Sequence, residues 1–356
     1  LSFLLDLSKV TDFVSPRFSK VLVPWLLRNP RYLRRSTVLI KSFHWCSAKR
    51  KQLLDEEKLL VPPVMILSIT NDCNLQCQGC FVQKVHGRKM ELSEWQMIVN
   101  QAKEIGVFAF LIAGGEPFLV DDLLTIVRSH QDRVFAIFTN ATTVAEKDIQ
   151  RLEAISNTMI VVSLEGDEKL TDQRRGIGVY QKAVSLLRKL SQHGILSGVS
   201  VTITTDNYTF WMEDENIDEI VDLGAKLCFF IEYITAEKDE KSLSCEQRNV
   251  FREKILHYKE TKPIFIIHSP GDEEPFGGCV SAGRGFVHVN AFGDLTPCPV
   301  SSASTHNLRQ STLREALNGE LLKEIRQSEL LEDGNGPCSL IFHEKDLMNI
   351  LQKVRH

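Results

Sequence analysis

Residues 64–81 read Val64-Met65-Ile66-Leu67-Ser68-Ile69-Thr70-Asn71-Asp72-Cys73-Asn74-Leu75-Gln76-Cys77-Gln78-Gly79-Cys80-Phe81. An apolar run of strand length passes directly into a polar loop that carries three cysteines. Three thiolates on one short loop can hold three irons of a [4Fe–4S] cube, leaving the fourth iron without a protein ligand. Four-cysteine sites close the cube and pass electrons only. A cube with an open corner can bind a molecule and react with it. Taken alone, the three cysteines fit a zinc site as well, because two-residue spacers like that between Cys77 and Cys80 are common there.

A second motif stands one strand–helix unit further on, in Ile112-Ala113-Gly114-Gly115-Glu116-Pro117. Its two glycines let backbone approach a ligand closely, and the Glu116 carboxylate can accept hydrogen bonds from an ammonium group. The cysteine loop followed by Gly-Gly-Glu-Pro resembles the radical S-adenosylmethionine (SAM) superfamily. The resemblance implies that Cys73, Cys77 and Cys80 hold the catalytic [4Fe–4S] cluster. It implies that SAM chelates the open iron through its methionine end, with Gly114, Gly115, Glu116 and Pro117 around that end. Reductive cleavage of SAM would then yield a 5′-deoxyadenosyl radical that abstracts hydrogen from a substrate.

Weaker matches follow in the family's order. Phe138-Thr139-Asn140 closes a third strand, with Ala141 where the family often has glycine, and Asn140 is placed at the cofactor. Ser163-Leu164-Glu165-Gly166 resembles the segment that binds the SAM ribose, which implicates Ser163 and Glu165. Arg174-Arg175-Gly176 resembles a step whose arginine, here Arg175, meets the SAM carboxylate. Val201-Thr202-Ile203-Thr204, with Asn207, closes a fifth strand. One departure concerns the residue before the third cysteine, where many members have an aromatic and this chain has Gly79; Phe81 follows the cysteine instead.

Strand candidates at 64–69, 108–112, 134–139, 159–164, 197–204 and 227–233 alternate with helix candidates near 92–105, 121–130, 144–155, 179–193, 214–223 and 246–258. Six such units imply a parallel sheet with right-handed crossovers. A closed eight-unit barrel needs more units than these. The fold class is α/β, a partial (β/α)6 TIM-like barrel over residues 61–260. A helical extension over 1–60 precedes it, and a small extension over 261–356 follows. In such folds chemistry gathers at the carboxyl ends of the strands, where the cysteine loop lies.

The last region holds Cys279 in Gly278-Cys279-Val280, Cys298 in Gly293-Asp294-Leu295-Thr296-Pro297-Cys298, and Cys338 in Gly336-Pro337-Cys338. The pattern resembles a shortened SPASM, or twitch, extension and implies an auxiliary [4Fe–4S] cluster on Cys279, Cys298 and Cys338. Its fourth corner is open to substrate, water or a protein ligand, with Cys228, Cys245 and His288 as the candidates. Zinc remains an alternative for this group also.

Ordinary hydrophobic (43%) and charged (25%) fractions fit a globular chain. A net charge of −4 and a pI near 6.2 argue against a dedicated nucleic-acid binder. No apolar run spans a bilayer and no cleavable signal pattern is present, so the expected location is cytoplasmic. The chain opens on Leu1, which leaves upstream residues open. From Phe13 to Leu54 there are ten Lys or Arg and no Asp or Glu. That basic segment is either a helical cap on the barrel or a peripheral contact with an anionic membrane surface. Expected partners are SAM, a substrate that is a peptide, lipid or small metabolite, and a flavodoxin- or ferredoxin-type electron donor. The competing class is a non-catalytic iron–sulfur electron carrier or a zinc-stabilised binding module. Neither needs Gly-Gly-Glu-Pro in register with the cysteine loop.

Overall fold

A computed structural model describes residues 16–82, 87–234, 240–332 and 338–355. Strands β1 (Val64–Thr70), β2 (Ala109–Gly114), β3 (Val134–Thr139), β4 (Thr158–Ser163), β5 (Ser197–Ile203) and β6 (Leu227–Glu232) fall where the sequence predicts them. Each pairs in parallel with the next. The crossover helices are α3 (Leu92–Glu104), α4 (Leu124–Ser129), α5 (Glu146–Glu153), α6 (Glu168–Arg175), α7 (Val179–Gln192) and α8 (Asp214–Asp222), with α9 (Cys245–Thr261) after β6. On α7 the stripe Ala183, Leu186, Leu187 and Leu190 is buried, as its helical spacing requires.

The sheet does not end at residue 260. β7 (Phe265–Ser269) pairs in parallel with β6, and β8 (Phe286–Val289) pairs in parallel with β1 on the far side. A hairpin partner, β9 (Asp294–Thr296), and a two-residue β10 (His306–Asn307) complete the order β10-β9-β8-β1-β2-β3-β4-β5-β6-β7. Runs of five and four residues give too little periodicity to stand out in sequence, and only their neighbours' unpaired edges recruit them. The architecture is a partial TIM-like barrel, α/β and mostly parallel.

Curvature shows in one contact. Phe138 on β3 and Phe229 on β6 meet edge to face at 5.8 Å although two strands lie between them in the sheet. Both face the barrel interior. The opposite faces of the strands are sealed under helices, as where Phe230 on β6 packs between Trp211 and Phe251.

The helices α1 (Pro16–Arg28) and α2 (Pro30–Glu57) carry the described part of the basic segment; residues 13–15 lie outside the described residues. Three of its arginines donate to carbonyls at barrel-helix carboxyl ends. Arg17 reaches the Thr261 carbonyl at 2.9 Å, and Arg31 reaches those of Glu153 at 2.5 Å and Gly194 at 2.7 Å. The buried Arg50 reaches Gly106 at 2.6 Å. Last-turn carbonyls lack intrahelical partners and carry the negative end of the helix dipole, so cations are favoured there. Three of the ten positive charges are therefore spent on helix capping. Among the described residues no helix is long and apolar enough to cross a membrane.

Candidate active site

The loop after β1 is locked onto the end of β2 by backbone. Gly115 N–H donates to the Thr70 carbonyl at 2.6 Å, and Glu116 N–H to the Asp72 carbonyl at 2.8 Å. A Cβ on Gly114 would stand 2.2 Å from the Thr70 carbonyl oxygen, and one on Gly115 only 1.9 Å from that of Asp72. The two glycines thus let one loop press against the other. That is a tighter demand than the approach of a ligand, which is all the sequence suggests.

Glu116 differs from expectation. Its carboxylate is wholly buried and accepts from Phe118 N–H at 3.1 Å, Thr139 Oγ1 at 2.8 Å and Asn140 N–H at 2.7 Å. Burial raises its pKa, and the Asn140, Thr139 and Phe118 bonds oppose that rise. With internal donors on both oxygens, Glu116 ties β2 to β3 and does not face a ligand. Asn140 is where the sequence puts it, beside the cysteine loop. Its Nδ2 donates to Asn74 Oδ1 at 2.9 Å and points at Cys73 Sγ at 3.7 Å. Leu75 N–H also donates to that sulfur, at 3.4 Å. Two N–H groups are thus aimed at one sulfur. Ala141 follows at φ 68°, the left-handed region that suits the glycine it replaces.

Glu165 is likewise turned inward. It is 1% exposed, and one oxygen receives Arg174 at 2.6 Å and Arg175 at 2.7 Å while the other receives Thr202 N–H at 3.1 Å. Arg175 therefore meets Glu165. Burial would lower its pKa, but Glu165 and then Cys77 outweigh that and raise it. Burial pushes the Cys77 thiol up, and Arg175 and Arg174 pull it back. Two guanidiniums on one carboxylate leave an excess positive charge beside the cysteine loop. Gln78 N–H donates to the Arg174 carbonyl at 3.0 Å, which anchors the loop to α6. Ser163 is the half-buried last residue of β4, in register with Ser200 on β5.

Gly79 has a physical reason too. It sits at φ 66°, and a Cβ there would meet the Tyr233 ring at 2.5 Å. Tyr233, just past β6, covers the position, and sequence reading missed it. Its place at a strand's carboxyl end was the available signal. A narrow cleft of about 20 Å³, room for about one water, lies beside it, lined by Gln78, Arg174, Thr204, Asp206, Tyr233 and Lys241.

Cys279, Cys298 and Cys338 pack against the main core, while Gly336 and Pro337 lie outside the described residues. Cys279 N–H donates to the Leu331 carbonyl at 2.8 Å, which holds the two segments together. Burial pushes the Cys279 thiol up to about 12 and raises Cys298 and Cys338 as well, so protons must leave when metal binds. The three candidates for a fourth ligand are engaged elsewhere. Cys228 is fully buried on β6, between Val199 and Ile266 in register. Cys245 opens α9 on the surface. His288 spends one ring nitrogen on Thr296 and the other on Ser68, both at 2.8 Å, and burial pushes it down to about 3. Cys279 Sγ donates to Ser281 Oγ at 3.2 Å. Burial raises the Glu273 carboxyl, six residues upstream of Cys279, to about 7.

Among the described residues no three His, Cys, Asp or Glu side chains close on one point as ligands of a single ion do. A cubane takes one ligand at each corner, so its ligands stand apart. The first loop fits such a group: three thiols, donors aimed at one sulfur, and a backbone cradle that any Cβ would fill.

Comparison with known proteins agrees with this geometry. Residues 67–227 match the model of the Radical SAM superfamily. A pre-heme d1 synthase of Dinoroseobacter shibae is 29% identical over 169 residues, which are 44% of this chain and 42% of that protein, less than half its length. An AdoMet-dependent heme synthase of Methanosarcina barkeri is 24% identical over 319 residues, 78% of this chain and 88% of the relative. The fold is similar to Streptococcus suis SuiB, solved with its precursor peptide SuiA and also with SAM. For the peptide complex the TM-score is 0.66 at 18% identity, over 81% of this chain and 71% of SuiB. The superfamily uses a [4Fe–4S] cluster and SAM, and its SPASM-type members carry auxiliary clusters. Residues 67–227 are a radical SAM domain, the domain of a superfamily whose members are enzymes.

Proposed function

We propose that this enzyme binds SAM at a cluster held by Cys73, Cys77 and Cys80 and takes a hydrogen atom from an organic substrate lodged in the barrel mouth. When bound, the cluster supplies one electron to the SAM sulfonium, which cleaves to the 5′-deoxyadenosyl radical. The observation that carries the reading is the interlock of Gly114 and Gly115 with Thr70 and Asp72. It fixes the cysteine loop to the end of β2 before any ligand arrives.

The chain's own residues then have separable tasks. Gly114 and Gly115 offer backbone carbonyls to the methionyl amine, since the Glu116 carboxylate is committed inside. Arg174 and Arg175 supply positive charge for the methionyl carboxylate while Glu165 fixes their geometry. Asn140 orients Cys73. Ser163, the last residue of β4, receives the nucleoside end. Inside the barrel, Phe138 and Phe229 form an apolar wall that shields a radical from water. A flavodoxin- or ferredoxin-type protein delivers the electron.

The reading is tested with anaerobically reconstituted protein, SAM and dithionite. Release of 5′-deoxyadenosine that disappears in Cys77→Ala supports it. Equal release from Cys77→Ala, or none from the intact protein, ends it. The substrate is sought among the classes that the relatives' names suggest, tetrapyrroles and ribosomal peptides, by which of them raises that yield.

A membrane-surface role for α1 and α2 is a second reading. Val23, Leu27, Leu33 and Ile40 are exposed among Lys20, Arg28, Arg34 and Lys41, and apolar groups framed by cations suit an anionic interface. Co-sedimentation with anionic vesicles tests it; equal partitioning onto neutral vesicles counts against it.

A further inference from the structure

We infer that the barrel interior binds an uncharged substrate group bearing an O–H or N–H, and that Ser68, oriented by His288, accepts the hydrogen bond from it. The inference rests on the function proposed above and deepens it by naming what the substrate presents to the barrel.

Strand register puts these residues on the interior face. His288 on β8 stands opposite Ile66 on β1, two positions before Ser68. Ile66 pairs with Leu111 on β2, and Leu111 with Ala136 on β3, two positions before Phe138. Paired residues share a face of a sheet, as do residues two apart on one strand. Ser68 and His288 therefore face the space in which Phe138 meets Phe229. On β1 to Ser68, on β2 to Ala113 and on β3 the interior positions are half-buried, and those between them are buried. This face is thus open while the helix side is sealed. Strands β1 to β8 contain a single Asp, Glu, Lys or Arg, which is Glu232. It shares the helix side with Phe230, and Arg248 donates to it at 2.6 Å. A charged substrate group would lose its hydration inside and meet no opposite charge on any of these strands.

Counting hydrogens fixes what Ser68 offers. The His288 ring is buried, and its two nitrogens meet hydroxyl oxygens, Thr296 Oγ1 and Ser68 Oγ, both at 2.8 Å. With hydroxyls and no carboxylate as its partners, the buried ring is neutral. Thr296 Oγ1 donates to the Cys298 carbonyl at 3.1 Å. Its one hydrogen is spent there, so it accepts from His288 Nδ1–H, and the bare Nε2 accepts from Ser68. The other tautomer breaks one of these three bonds. Ser68 Oγ thus turns only lone pairs to the interior, and their complement is an O–H or N–H. A group that could only accept would have to pull the Ser68 hydrogen away and strand Nε2 on a ring that is 5% exposed, which costs free energy. Ser68 lies two residues, about 7 Å, before the end of β1, where the cysteine loop departs. It is therefore a substrate-binding residue one step below the reacting end of the barrel, and His288 is the residue that positions it.

The test uses the full chain, reconstituted under nitrogen with SAM present, and three probes built on one ring: benzyl alcohol, benzyl methyl ether and benzoate. Saturation-transfer NMR titrations give the Kd of each. The alcohol, neutral and carrying an O–H, should bind about tenfold more tightly than the ether, which has no donor, or the benzoate anion. Ser68→Thr should keep that preference and Ser68→Ala should erase it, which a merely structural serine would not do. Nitrogen-15 spectra of the parent's His288 ring should show a proton on Nδ1 and none on Nε2. Circular dichroism melts separate these effects from misfolding, and Ser68→Thr with the parent's ring spectrum keeps the test valid if Ser68→Ala is unstable. Equal binding of alcohol and ether overturns the inference, as does benzoate binding as tightly as the alcohol, or no binding of any probe. So does a preference that survives Ser68→Ala, or a proton on Nε2. The proposed function itself is judged by 5′-deoxyadenosine release from the intact protein without probes, so the two failures are read in different assays.

Discussion

Gly115 and Asp72 come from different strand ends, yet a single methyl group on Gly115 would stand 1.9 Å from the Asp72 carbonyl oxygen. The cysteine loop is thus seated on bare backbone. Gly115→Ala should cost at least about 3 kcal/mol, the upper end for overpacking against atoms that cannot move aside. Iron bound at Cys73, Cys77 and Cys80 should fall with it. Thermal unfolding and iron analysis check this, and an alanine variant with wild-type iron and melting would show the contact to be soft.

Ala141 occupies left-handed backbone, at φ 68°, one residue past Asn140. The strain is about 1–2 kcal/mol for a residue with a Cβ, and glycine's extra unfolded freedom offsets about 0.5–1 kcal/mol of the relief. Ala141→Gly should therefore stabilise the protein by about 0.5–1 kcal/mol, read from urea midpoints at unchanged slope.

Gly79 and Tyr233 should be coupled. Gly79→Ala places a Cβ in the Tyr233 ring and in left-handed backbone. Tyr233→Ala relieves the first problem and not the second. A double-mutant cycle should give a coupling of about 0.5–3 kcal/mol, as for residues in direct contact. Strict additivity in SAM affinity and in stability would mean the ring stands elsewhere.

His130 is buried, and neither ring nitrogen has a hydrogen-bond partner. Burial, then Lys103, and also Arg133 push its pKa down to about 4 from the usual 6.5, with Asp132 opposing. The unfolded chain therefore binds a proton that the folded chain refuses between about pH 6.5 and about pH 4. Stability is full above that window and is lost as pH falls through it, by about 3 kcal/mol in total from this one group. His130→Leu should remove that share of the acid sensitivity in denaturant titrations run at descending pH. An unchanged slope would show that His130 already shares a proton in the native state.

Arg31 ties α2 to the carboxyl ends of α5 and α7 through the carbonyls of Glu153, His193 and Gly194. Arg31→Ala should cost about 1–2 kcal/mol through the lost charge-assisted bonds and dipole contacts. Arg34→Ala, whose side chain is exposed on the same helix, should cost little. Paired melts decide it, and equal effects would favour a surface role for both.

Much of the barrel was legible from periodicity. β1 to β6 and their helices follow alternating apolar runs, which are local signals that tertiary contacts reinforce. The cysteine loop and Gly-Gly-Glu-Pro were legible as well, because their spacing is short. Glu116 and Glu165 were read as ligand contacts because a carboxylate in a motif carries no mark of which way it turns. The structure turns both inward, where buried carboxylates take the nearest N–H donors.

What the sequence alone determined is the set of strands, the three thiols on one loop, and the order of the motifs along the barrel, since spacing along the chain suffices for each. Only the tertiary structure decided that glycine serves backbone contact and that Tyr233 covers Gly79. These depend on approach between segments far apart in the chain. Such approach is set by how strands curve and pack, and a linear pattern of residues does not encode it in any local signal.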